Sequence, residues 1–149
     1  MLVSPPTDSP SPDPNRHNGH QHRTLSVLIV DDEPAFCFAM AEILNLSGHQ
    51  VEQANTVAQA LEILERFTPD LILTDIMMPE ADGLTFIRRL RSQSTWAGIP
   101  TIAVSAKAMI QDRDAAREAG ADGYLSKPFS AQELKAAISE FTMPRTNAA

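Results

Sequence analysis

Short, wholly apolar runs alternate along this chain with segments whose apolar residues recur every three or four positions. Val27-Leu28-Ile29-Val30 and Leu71-Ile72-Leu73-Thr74 have no polar alternation, the pattern of strands buried on both faces. Gln50–Ala54 is short and partly polar and predicts an edge strand; Thr101–Val104, ending at Ser105, and Gly123–Ser126 complete five. Between them lie helical patterns. One opens at Pro34, where a missing N–H costs nothing, and runs to about Leu46 before Ser47-Gly48. Its apolar stripe is read as Phe36, Ala39, Met40, Ile43 and Leu44, with Phe38 on the far side beside Glu42 and Asn45. A second is capped by Thr56, turns Ala60, Leu61 and Leu64 inward, and stops before Pro69. A third covers Leu84–Arg91, with Leu84, Ile87 and Leu90 inward and Arg88, Arg89 and Arg91 outward. A fourth covers Ile110–Ala119 and stops at Gly120, and a fifth, capped by Ser130, covers Ala131–Phe141. Five strand–helix units with short connections imply a doubly wound parallel α/β sheet, taken in the order 2-1-3-4-5.

That order places the first and third strands side by side at the switch point, where ligands collect beyond the carboxyl ends of strands. Both strands end in acids: Asp31-Asp32-Glu33-Pro34 after the first and Asp75 after the third. Met78-Pro79 and Asp82-Gly83 then delay the next helix. Asp31, Asp32 and Asp75 are therefore expected to lie together. At ~4 Å each pair of carboxylates repels by on the order of 4 kcal/mol at an effective dielectric of 20. A hard divalent cation with oxygen ligands, such as Mg2+, resolves that repulsion.

Composition narrows the function. The chain has 149 residues and a net charge of −7 without a basic cluster, which speaks against direct nucleic-acid binding. One cysteine, Cys37, excludes an internal disulfide and fits a reducing, cytoplasmic setting. No apolar run is long enough to insert into a membrane, and the N-terminus lacks the pattern of a secretory signal. Residues 1–23 read as a disordered, solvated Pro/His-rich tail, and its histidines His17, His20 and His22 are read as part of that polar tail in preference to a metal site. The folded domain is expected over 24–141, with a short C-terminal tail at 142–149 and no room there for an output module.

The residues at the carboxyl ends of the strands are Asp31, Asp32, Asp75, Ser105 and Lys127. Singly, each has an ordinary explanation, as a helix cap or an exposed lysine; together on one edge they form a constellation. That set resembles the receiver domain of two-component response regulators, a flavodoxin-like fold. The resemblance rests on Asp31-Asp32-Glu33-Pro34, on Asp75-Ile76-Met77-Met78-Pro79 with Asp82-Gly83, on Val104-Ser105-Ala106, and on Tyr124-Leu125-Ser126-Lys127-Pro128-Phe129. It implies that Asp75 accepts a phosphoryl group from a histidine kinase or histidine phosphotransfer protein. Asp32, Asp75 and the backbone carbonyl of Met77 would bind Mg2+, with Asp31 acting largely through a water ligand. Ser105 and Lys127 would contact the phosphoryl oxygens. Ser105 and Tyr124 would form the switch, read out on the surface of the fourth helix, fifth strand and fifth helix by a downstream protein. The bond Lys127-Pro128 would be cis.

Ser105 stands where threonine is frequent, and Met77 and Lys107 fall where members vary. Cys37 replaces a common arginine, at what is read as a surface position. The stretches around Ser105 and Lys127 look like receivers of hybrid kinases and relay partners, which favours a stand-alone relay receiver. Phe38 is expected to help dock the phosphodonor. A Mg2+-dependent aspartyl phosphatase of similar fold is the alternative, but it would need an acid where Met77 stands. A flavin-binding electron carrier would need a phosphate-cradling loop in place of Asp-Asp-Glu-Pro.

Overall fold

The computed structural model describes residues 24–78, 83–106 and 110–142; Pro79, Asp82, Lys107 and the tails at 1–23 and 143–149 lie outside the described residues. Among those described, the elements are β1 (Ser26–Val30), α1 (Pro34–Leu46), β2 (Gln50–Ala54), α2 (Val57–Arg66), β3 (Leu71–Asp75), α3 (Gly83–Ser92), β4 (Thr101–Ser105), α4 (Ile110–Ala119), β5 (Gly123–Ser126) and α5 (Ala131–Thr142). The strands form one parallel sheet in the order β2-β1-β3-β4-β5. Successive residues of the central strands serve opposite layers, as the two-residue period requires. Val27, Ile29, Leu71 and Leu73 pack with α1 and α5, while Leu28, Val30 and Ile72 pack with α2 and α3. Each such fully buried side chain contributes about 1.5–3 kcal/mol. A smaller cluster gathers Ile76, Ile87, Ala103, Ala116 and Ala119 under α4, with Tyr124 packed against it.

Helix ends follow local chemistry. Pro34 opens α1. The Thr56 hydroxyl accepts from Gln59 N–H at 3.0 Å. Ser130 and Glu133 form a reciprocal capping box, Glu133 N–H to Ser130 Oγ at 3.0 Å and Ser130 N–H to Glu133 Oε1 at 2.8 Å. Gly48 (φ 96°) and Gly120 (φ 119°) supply the left-handed turn after α1 and α4.

Three expectations are corrected. The buried stripe of α1 is Cys37, Met40, Ala41 and Leu44, whereas Ala39 is exposed. Cys37 is therefore core, not surface: the helix sits on β1 with its 37/41/44 face, and Phe36 turns toward the sheet edge. Arg91 is not an outward charge. Its guanidinium donates to the carbonyls of Gly120 (2.9 Å), Ile99 (2.9 Å) and Ala97 (3.3 Å) and pairs with Asp122 (2.9 Å). Asp122 Oδ2 also accepts from Thr101 N–H at 2.9 Å. Five donors in a rigid fork suit one arginine to tie the end of α3 to the loops before β4 and β5.

Candidate functional site at the carboxyl edge of the sheet

The strand hydrogen bonding continues one residue past each strand and so fixes the residues beyond it. Asp31 N–H donates to Ala54 O (3.0 Å), Ile76 N–H to Val104 O (3.0 Å) and Lys127 N–H to Ser105 O (2.7 Å). Asn55 adds a side-chain tie, its Nδ2 donating to Asp31 O at 2.9 Å. Asp31, Asp32 and Asp75 each offer a carboxylate oxygen, and the three lie within 4.8 Å of one another. The Asp75 residue is only 4% exposed, and its Oδ1 accepts from Met77 N–H at 2.8 Å. Asp31 Oδ1 accepts from Glu33 N–H at 2.9 Å.

Gly83, the first residue of α3, lies against this edge. A Cβ there would collide with Asp75 O and Ile76 Cα, so only glycine lets α3 begin so close behind Asp75.

Lys127 comes from the far side of the sheet. Its Nζ lies 3.0 Å from Asp31 Oδ2, 3.3 Å from Asp75 Oδ2 and 3.6 Å from Glu33 Oε1. The ammonium also stands over the Phe36 ring, 4.2 Å from its centroid, and Phe36 meets Phe129 edge to face at 5.5 Å and 78°. The Lys127-Pro128 bond is cis. Burial lowers the pKa of Lys127, but the hydrogen bond and charge of Asp31, followed by those of Asp75, outweigh it and the net shift is upward. For Asp31 burial dominates and raises the pKa, against the Glu33 N–H and Lys127. Asp31 Oδ2 is buried and meets the Lys127 ammonium as an ion pair at 3.0 Å. Three carboxylates converging within 4.8 Å carry more negative charge than one ammonium offsets, and a hard cation with oxygen ligands takes up the remainder. The three aspartates therefore fit a metal site.

Ser105 is fully buried on β4, one residue beyond the Asp75–Val104 pair. Tyr124 pairs with Ala103, is half-buried, and lies under the Arg113 guanidinium at 5.4 Å. Met77 is 48% and Phe38 59% exposed, Phe38 on the outer face of α1 as its wheel position predicts. The structure thus brings Asp31, Asp32, Asp75 and Lys127 together, with Ser105 on the neighbouring strand and Tyr124 one strand further. Glu33, part of the acidic run after β1, reaches Lys127, while Phe36 and Asn55 join the site without a signal of their own in the sequence. Phe36 reads as core, and nothing in the pattern links it to a lysine 91 positions later, a separation fixed by the two residue numbers.

A five-stranded sheet of this order, with acids at the switch point, defines a flavodoxin-like α/β domain. Residues 27–139 match the response regulator receiver domain family, and the chain belongs to that family, the phosphoaccepting side of two-component signalling. It is 40% identical over 114 residues to response regulator MprA of Mycobacterium leprae, covering 76% of this chain and 49% of that protein. The chain spans about half the length of the curated relatives it matches. Among solved structures, it resembles a putative response regulator from Chloroflexus aurantiacus (TM-score 0.76, 30% identity, 80% of this chain and 98% of that one). It also resembles the receiver domain of a sensor histidine kinase from Pseudomonas aeruginosa, which has a magnesium ion coordinated in its active-site cleft (TM-score 0.72, 31% identity, 80% and 98% covered). No helix among the described residues is long and apolar enough to cross a membrane.

Proposed function

We propose that the domain over residues 24–141 accepts a phosphoryl group on Asp75, in a Mg2+-dependent transfer from a histidine kinase or a histidine phosphotransfer protein. The observation that carries this is the grouping of the Asp75 carboxylate with those of Asp31 and Asp32 within 4.8 Å, and with the Lys127 ammonium 3.3 Å away. A carboxylate oxygen of Asp75 attacks the donor phosphorus. The P–N bond of phosphohistidine, or the P–O bond of a small donor, breaks, and its electron pair leaves with the donor. Asp32, Asp75 and the Met77 carbonyl would hold Mg2+, with Asp31 acting through water, and the ion would supply positive charge for the phosphoryl oxygens. Lys127 neutralises the oxygen on its side, and the Ser105 hydroxyl donates to another. Phe38, exposed near the rim on α1, is a contact for the incoming donor.

The acyl phosphate adds roughly two negative charges at Asp75. Ile76, next to Asp75, shares the cluster under α4 with Tyr124, so a change at Asp75 has a packed route to Tyr124, and movement of Ser105 toward the phosphoryl group would accompany it. The α4–β5–α5 face then presents two states to a downstream protein, or the group passes on along a relay. A net charge of −7 without a basic cluster favours a protein partner over nucleic acid. The phosphatase alternative lacks its general acid, because the thioether of Met77 carries no proton.

The test is labelling by acetyl phosphate with and without Mg2+. Wild type takes up one phosphoryl group in Mg2+ and none in EDTA, and Asp75→Asn takes up none. Undiminished labelling of Asp75→Asn, or labelling indifferent to EDTA, overturns the assignment.

A further inference from the structure

We propose that Phe36 is a positioning residue for phosphoryl transfer, its ring face holding the Lys127 ammonium over the acidic cleft by a cation–π contact. The inference rests on the reading of Asp75 and Lys127 given above. A lysine ammonium sits on a flexible four-carbon stem, and fixing it costs rotamer freedom. The three carboxylates around it, Asp31, Asp75 and Glu33, are poor permanent anchors. Asp31 and Asp75 belong to the acidic group that would hold the cation, and Asp75 is the group that reacts. Glu33 is exposed and its contact is 3.6 Å long.

The Phe36 ring differs from all three. It carries a negative quadrupole face with no titrating proton and no oxygen for a metal, and the ammonium lies 4.2 Å from its centroid. The ring is itself fixed. Phe36 is rooted in the first turn of α1 and packs against the core, and the Phe129 ring meets it edge to face at 5.5 Å. Phe129 follows Lys127 by two residues, so the segment that supplies the ammonium also braces its aromatic seat. Lys127 can then turn from carboxylate to phosphoryl oxygen without leaving the ring. Phe36 touches no reacting atom and acts only through Lys127.

The test places phenylalanine bearing one, two or three ring fluorines at position 36 alone, which drains the π face stepwise at nearly constant size. Two quantities are measured: the labelling rate with acetyl phosphate in Mg2+, and the NMR shifts of the Lys127 ε-methylene in the protein without donor. A cation–π contact makes the logarithm of the rate fall steadily with fluorine number, by about three- to tenfold over the series. Phe36→Leu matches the slow end and Phe36→Tyr retains most of the rate, while thermal midpoints across the fluorinated series stay together. The ε-methylene shifts carry a ring-current displacement that Phe36→Leu abolishes. A flat rate series, a wild-type rate in Phe36→Leu, or Lys127 shifts unaffected by Phe36→Leu overturns the proposal. If Asp75→Asn is still labelled, the phosphoacceptor reading fails, and the methylene shifts decide the contact independently.

Discussion

The sulfur of Cys37 lies 3.7 Å from the carbonyl oxygen of Asp31 and 3.9 Å from that of Ala54, and Asn55 Nδ2 lies 3.7 Å from it. It fills the angle between the ends of β1 and β2, behind the acidic site. Burial pushes its thiol up to about 11, and the negative charge of Asp31 adds to the shift. A thiol whose folded pKa is raised stabilises the protein below the unfolded value near 9.0, and that contribution is lost as pH climbs toward about 11. We therefore expect no reaction of native protein with a thiol-specific disulfide reagent at pH 8 and one equivalent of reaction in denaturant. In the native state, reactivity and loss of stability should set in together above pH 9. Rapid native reaction at pH 8 would mean that the thiol is neither buried nor protonated. No local pattern signals this, since one cysteine among helical residues looks the same on either face; only the seating of α1 on β1 decides it.

At the scale of elements, α3 stands out for how it begins. Its Gly83 takes the helix to within backbone contact of Asp75 and Ile76, so the helix supports the strand end from behind. Gly83→Ala should force the two segments apart, lowering stability by about 1–3 kcal/mol, the usual cost of overpacking. The phosphorylation rate should fall more than stability alone explains, because Asp75 moves. Urea denaturation with labelling of the folded fraction separates the two effects; a variant with wild-type stability and rate would show that the gap is soft. Elements of this kind were largely legible: alternating apolar runs and helical stripes placed all five strands and helices, and acids at strand ends marked the cluster of Asp31, Asp32 and Asp75. Asp82-Gly83 was visible too, but as a turn, because a close approach between segments leaves no local signature beyond the glycine itself. Arg91 was misread for a related reason. A helix wheel assigns a charged residue to solvent, while its partners Gly120 and Asp122 lie 29 and 31 positions away. Phe36, in turn, satisfies the apolar stripe whether or not a lysine stands over it.

Across the whole molecule, the chemistry gathers at one edge of the sheet and the Arg91–Asp122 tie holds the other. The acidic edge is a stability cost as well as an asset. Burial raises the pKa of Asp31, so its contribution to stability is greatest below the ordinary carboxylate range and is lost as pH rises through the raised value. The desolvation of its charged form therefore works against the fold as pH rises. Asp31→Asn removes that charge, and Lys127 keeps Asp75 and Glu33 as partners. In EDTA we expect the variant to be more stable than wild type by about 1 kcal/mol, a rise in Tm of about 3–6 °C. Mg2+ should raise the wild-type Tm by binding only the folded state, and should raise that of the variant much less. A variant that melts lower than wild type in EDTA would show that its pairing with Lys127 outweighs desolvation.

The contact between Lys127 and Asp75 spans 52 positions of the chain, and this has a meaning for synthesis. A ribosome delivers the acidic trio first and its ammonium last. At roughly 5–20 residues per second, about 3–10 s separate the two. During that interval Asp31, Asp32 and Asp75 have been made and Lys127 has not, so the acidic edge meets its ammonium only after the last strand is out.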